Sequence, residues 1–216
     1  MIAIAALILI LSTYDLAPPA AFVVNVTTET LQQTAILDRA SQCDRGANLD
    51  RETMRDILKI EEAAGVPAQL RGMTLAAACH ESGMKPTAAG DCKCRGVKGL
   101  HQRVVTCPGG KPCKWRARGI LQQWPWVKRY GVDRLNPLEA AEFWIRHLAS
   151  RVGQVVKDCK IPSGDVDRIW RTAWVTAVRA PSKRPRCRQK PRHWRRFVEW
   201  RQSWSSWPGS APPAHR

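Results

Sequence analysis

Ala76-Ala77-Ala78-Cys79-His80-Glu81-Ser82-Gly83 and, further on, Arg118-Gly119-Ile120-Leu121-Gln122-Gln123-Trp124-Pro125 are the two stretches on which the reading of this chain turns. The first is a helix of small residues that delivers one carboxylate to a glycine break. The second is a glycine-led apolar turn carrying a Gln and a Trp. In a helix from about Ala68 to Ser82, the residues Leu70, Thr74, Ala77, Ala78 and Glu81 share one face. Their small side chains let other elements approach closely, and Gly83 and Pro86 stop the helix.

Working outward, Asn48 to Ala64 is helical in pattern: Met54, Ile57, Leu58 and Glu61 fall at i, i+3, i+4 spacing and Gly65 closes the run. Asn136-Pro137-Leu138-Glu139 is a helix start, with an Asn cap, Pro at the first helical position and Glu at the third. Behind it Leu138, Ala141, Ile145, Leu148 and Val152 continue a buried stripe. A further helix is expected from about Asp165 to Arg179, on Val166, Ile169, Ala173 and Ala177. No comparable strand pattern is present, so the fold class expected is mainly α.

Residues 1–21 begin with an apolar run too short to span a bilayer comfortably, and read as a signal peptide or N-terminal anchor. Residues 22–46 are polar and weakly patterned, and read as a linker. The folded domain then covers 47–180, interrupted by an insertion at 90–116 rich in Cys, Gly and Lys. Residues 181–216 form a basic, Trp-rich tail. From Arg179 onward eleven Lys or Arg stand against one acid, Glu199, with Trp194, Trp200, Trp204 and Trp207 interleaved. A short amphipathic helix around His193 to Gln202 is expected there, followed by a disordered Pro/Ser end.

The 216 residues can bury one ordinary core, and the formal charge of +17 points to an anionic partner. Charge does not choose between a bacterial envelope, an acidic lipid surface and nucleic acid. Ten Trp suit stacking on flat apolar faces, which sugars and bases both offer. Eight cysteines point to an oxidising destination. Four of them, Cys92, Cys94, Cys107 and Cys113, lie in the insertion, where nested disulfides would staple a hairpin-like excursion. The rival is a zinc site drawn from the same four cysteines or His101. A Cys-x-Cys spacing is tighter than the two-residue gap of zinc knuckles, which favours disulfides; otherwise neither metal nor cofactor is expected. Cys79 reads as buried or bridged rather than nucleophilic, and Trp144 and Trp170 as packing residues.

The paired blocks resemble the lytic transglycosylases of the SLT type, which are goose-lysozyme-like: there a Glu-Ser pair ends a helix and a Gly-Leu-Met-Gln-Ile-x-Pro stretch follows. The resemblance covers about Ala63 to Ala180. It implies a lysozyme-like helical domain, a monomer acting on bacterial peptidoglycan, and a secreted or periplasmic location, in a bacterial or phage-encoded protein. Glu81 would then be the catalytic acid, with Ser82 bracing it, Gly119 permitting the close turn, and Gln122, Trp124 and Trp174 lining the sugar cleft. Leu121 and Gln123 depart mildly from the family pattern. Ala173-Trp174-Val175-Thr176-Ala177 departs further, since the family carries Ala-Tyr-Asn-Ala-Gly there. The 38 positions between Glu81 and Gly119 exceed the family's usual spacing because of the insertion.

Cleaving a glycosidic bond requires protonating the leaving oxygen, so the acid's pKa must rise from roughly 4.3 toward about 6, which burial achieves. Asp91 is the only acid soon after Glu81. A hydrolase needs a second carboxylate; in the family resembled, the substrate's N-acetyl group takes that part and the product is a 1,6-anhydro sugar. Two other functions stay open. One is a non-catalytic peptidoglycan-binding module. The other is a basic protein binding nucleic acid or membrane, with the tail also suited to anionic wall polymers.

Overall fold

The computed structural model describes residues 20–43, 49–94, 107, 110, 113–177, 184–185, 187 and 192–205. The first helix, α1 (Ala20–Ser41), occupies the segment expected to be a linker. Its C-terminal part buries Ile36, Leu37 and Ala40 along one stripe. Cys43 then bonds Cys79, stapling this helix to the domain. The linker expectation is thus corrected: three apolar residues at helical spacing and a disulfide suffice to dock it. The expected signal peptide or anchor at 1–21 lies almost wholly outside the described residues.

Asp50 starts α2 (Arg51–Ala63) by accepting the Thr53 N–H at 2.7 Å, and the expected stripe of Met54, Ile57, Leu58 and Glu61 is buried. The next expected helix is interrupted. Residues 68–70 make one 3₁₀ turn, Gly72 takes a left-handed φ of 84°, and α3 (Met73–Ser82) begins after it. The interruption follows from Glu61, whose carboxylate accepts the N–H groups of Gly72 and Thr74 and so fixes where α3 starts. Gly83 ends α3 in the left-handed region, with its N–H on the last turn.

Asn136 caps α4 (Pro137–Cys159) as expected, accepting from Leu138 and Glu139 while its own amide donates to the Glu139 carboxylate. Along α4 lies α5 (Val166–Ala177), burying Ile169, Trp170, Ala173, Trp174 and Ala177 against it. The last described helix, α6 (Arg192–Ser205), forms where a basic amphipathic helix was expected. It is not a free tail, however. Trp194 and Phe197, three positions apart, are buried in the common core, and α6 packs on α3 and α1. Cys159–Cys187 ties the end of α4 to the approach to α6. The expected Pro/Ser end lies outside the described residues.

The described residues are mostly helical, but a two-stranded antiparallel sheet was not foreseen. The strands β1 (Ala89–Lys93) and β2 (Lys114–Arg118) pair in the register Ala89 to Arg118 and Cys92 to Trp115. They are short, and β2 is basic, without period-two alternation; the ladder and the cysteines hold them instead. They form the stem of the insertion, which carries the nested disulfides Cys92–Cys113 and Cys94–Cys107.

Candidate functional site

Two elements far apart in sequence meet at the end of α3. Ala77 and Ala78 are fully packed, Glu81 is half-buried, and Ser82 is buried. The Ser82 hydroxyl lies 2.7 Å from the Ile120 carbonyl and 3.0 Å from that of Ala78. A hydroxyl has one proton to give, so the shorter contact, across 38 positions, takes it. The Glu-Ser helix end and the Gly119 turn are therefore neighbours.

The turn itself is pinned on several sides. Arg118 and Gln123 exchange backbone hydrogen bonds at 3.1 and 2.9 Å, and the Gly119 N–H reaches the Ala88 carbonyl at 2.9 Å. Gly119 has φ 80°, and a Cβ there would collide with the Arg134 carbonyl, so glycine is required twice over. Arg134 is itself buried and donates one Nη1 to the carbonyls of Arg116 and Gln123 at 2.9 and 2.7 Å. It buckles β2, the turn and the approach to α4 together. Burial, and then nearby Arg118, lower its pKa.

Gln122 is half-buried at φ 46°, with its amide donating to the Gly119 carbonyl at 3.0 Å. A Cβ on Gly90 would strike the Gln122 side-chain oxygen, so the root of the hairpin leaves room for this amide. Trp124 is half-buried under the Arg116 guanidinium, 5.9 Å from the ring centre. Gln123, where an apolar residue fits the family pattern, turns inward and donates to the Ala140 carbonyl at 2.8 Å.

Trp174 does not belong with this group. It is 3 % exposed and sits edge-to-face on Trp144 and Trp194, at 5.2 and 5.6 Å, beside Phe197. Its expected place on a cleft wall is corrected: α6 lies over it and makes it core. Trp144 and Trp170 are buried, as expected of packing residues. Of the other Trp residues in this part of the chain, Trp115 packs against the cysteine cluster. Trp126 joins Tyr130, Phe143 and His147 in a partly exposed group of rings. Cys79 is bridged, as expected.

The residue that the sequence reading missed is Glu61. It is fully buried, and desolvation raises its pKa to about 7, against the opposing pull of the Thr74 and Gly72 donors and of Arg71. The signal was present: an acid inside an apolar stripe needs buried partners. It positions α3 from its beginning, whereas Glu81 stands at its end.

In the insertion the four sulfurs of Cys92, Cys94, Cys107 and Cys113 all lie within 4.8 Å of one another. His101, the other ligand weighed for zinc, lies outside the described residues. Among the described residues no helix is long and apolar enough to cross a membrane. Comparison with known protein families, curated proteins and solved structures gives no match for this chain.

Proposed function

We propose that this protein is a peptidoglycan lytic transglycosylase on a lysozyme-like helical scaffold, with Glu81 as the acid and then the base. The observation that supports the reading is the Ser82–Ile120 hydrogen bond, because it joins the helix end that carries Glu81 to the turn that carries Gly119, Gln122 and Trp124. Half-burial suits such a group: a glycan must reach it, and the glycan's own bulk completes its desolvation. Glu81 protonates the oxygen between the two amino sugars as positive charge builds at the anomeric carbon, which the substrate's N-acetyl group stabilises. The carboxylate then takes the proton of the 6-hydroxyl, whose oxygen closes on the anomeric carbon to give the 1,6-anhydro product. No second carboxylate is required. Ser82 and Gly119 hold the geometry, Gln122 offers its remaining amide N–H to an acetamido group, and Trp124 presents a ring face to the sugar. The +17 charge suits an anionic wall as it would any anionic partner, and four disulfides support a secreted or periplasmic location.

The test is digestion of murein sacculi, with the released fragments weighed by mass spectrometry. Anhydro-muropeptides from the parent protein, lowered about 10²-fold or more in Glu81→Gln, are the expected result. Reducing ends would make the protein a lysozyme. Sacculus binding without release would make it a binding module, and salt-sensitive DNA binding alone would move the function to nucleic acid.

A further inference from the structure

We propose that the reduced insertion binds one Zn²⁺ through Cys92, Cys94, Cys107 and Cys113. This site is independent of the glycan reading above. The sulfurs fill a small volume: all lie within 4.8 Å of one another, and Cys92, Cys94 and Cys107 are buried. The pairs that are not disulfide-bonded give the decisive distances. The Cys92 sulfur is 3.8 Å from that of Cys94 and 3.9 Å from that of Cys107. Four thiolates about 2.3 Å from a central zinc stand at the corners of a tetrahedron whose edges are about 3.8 Å. Those two edges are already set. Opening each disulfide from about 2.05 Å to that edge asks each sulfur to move by about 1 Å.

The tight Cys-x-Cys spacing, which argues against zinc in a knuckle turn, loses its force on a strand. Cys92 lies in β1 and Cys94 directly follows it. Residues i and i+2 of an extended chain point to the same side, so both sulfurs face one centre without a two-residue gap. The second pair, Cys107 and Cys113, arrives from the returning arm, and Cys113 directly precedes β2.

The insertion also needs such a centre. Among the described residues, its apolar cluster consists of three buried cysteines with Cys113 and Trp115 packed on them, separate from the main core. A cluster of that size has little apolar surface of its own, so a cross-link or a metal must hold it together. Charge is favourable as well. A tetrathiolate zinc centre carries a net −2, and residues 90–116 hold seven Lys or Arg against Asp91 alone. The chemistry balances simply. Two disulfides take up four electrons and four protons from a thiol or phosphine reductant to give four thiols, and one Zn²⁺ displaces those four protons. The disulfides of the structure are thus the oxidised form of the site.

The experiment uses the full chain, reduced with a phosphine and loaded with Zn²⁺ or Co²⁺ under anaerobic conditions, then freed of unbound metal. Elemental analysis should find about one zinc per chain, and cobalt should show the intense thiolate-to-metal band of a tetrahedral tetrathiolate site. A variant with Cys43, Cys79, Cys159 and Cys187 all changed to Ala should keep that metal. Cys94→Ser/Cys107→Ser should lower the affinity at least about tenfold, with helical circular dichroism retained because the helices lie elsewhere. Essentially no zinc on the reduced parent chain would overturn the proposal. So would undiminished metal in the Cys94→Ser/Cys107→Ser variant.

Discussion

Replacing Glu61 by Gln separates two forces that oppose each other at one buried carboxyl group. Two backbone N–H groups, those of Gly72 and Thr74, favour the charged form, while full burial favours the neutral one. Burial wins, and the pKa rises from 4.5 to about 7. The sign follows from proton counting. Between those two values the folded state holds a proton that the unfolded state has lost, so stability falls as pH rises through this window. At about 1.4 kcal/mol per pH unit, the loss from pH 4 to pH 8 is about 3 kcal/mol. Gln is neutral throughout and matches only the protonated acid, so it does not share this loss. It leaves one N–H donor without an acceptor, which costs about 1–3 kcal/mol at every pH. Urea unfolding of both proteins at half-unit steps from pH 4 to pH 8 isolates the group by difference. Glu61→Gln should be the weaker protein at pH 4 and gain about 3 kcal/mol on the parent by pH 8. Parallel curves, or a parent that gains on the variant as pH rises, would refute the reasoning and make the two donors the stronger force.

Two further substitutions probe the frame around the site. Changing Cys43 and Cys79 together to Ala opens a loop of 36 positions, and the chain-entropy relation puts the loss at about 4 kcal/mol, to be read as a lower denaturant midpoint. Gly119→Ala should cost at least about 2–3 kcal/mol, because it combines a left-handed φ with a collision against the Arg134 carbonyl. Gly65→Ala is the control: it also has a left-handed φ of 74° but open space around it, so it should cost about 1 kcal/mol. Equal losses in thermal melts of the two glycine variants would show that the Arg134 contact carries no weight.

Much of the helical frame was legible in the sequence, and the failures have separate physical causes. The α4 start was written in Asn136, Pro137 and Glu139, and α2 in its stripe, because caps and periodicity act within one turn. The α1 helix was not legible: its apolar residues are only weakly patterned, and what docks it is Cys43 finding Cys79 across 36 positions. The paired strands were hidden because neither alternates. In α6 the helix could be read, but not its burial, since the many Arg residues masked the two rings that decide it. At the candidate site, the Ser82 end of α3 meets the Gly119 turn through the Ile120 carbonyl, whereas Trp174 was misplaced because the sequence does not reveal which helix covers it. Glu61 was seen only as a position in a stripe, although an acid there is intelligible only through the two N–H groups of a later segment.

The contact of α6 with α1 bears on how the protein is made. Helices separated by some 150 residues of intervening chain must meet before the core is sealed. Until Trp194 and Phe197 leave the ribosome, the apolar surface around Trp174 stays uncovered, so sealing the core must wait for a helix some 150 residues beyond α1. During that interval the uncovered surface around Trp174 is where a nascent chain of this design is exposed to aggregation.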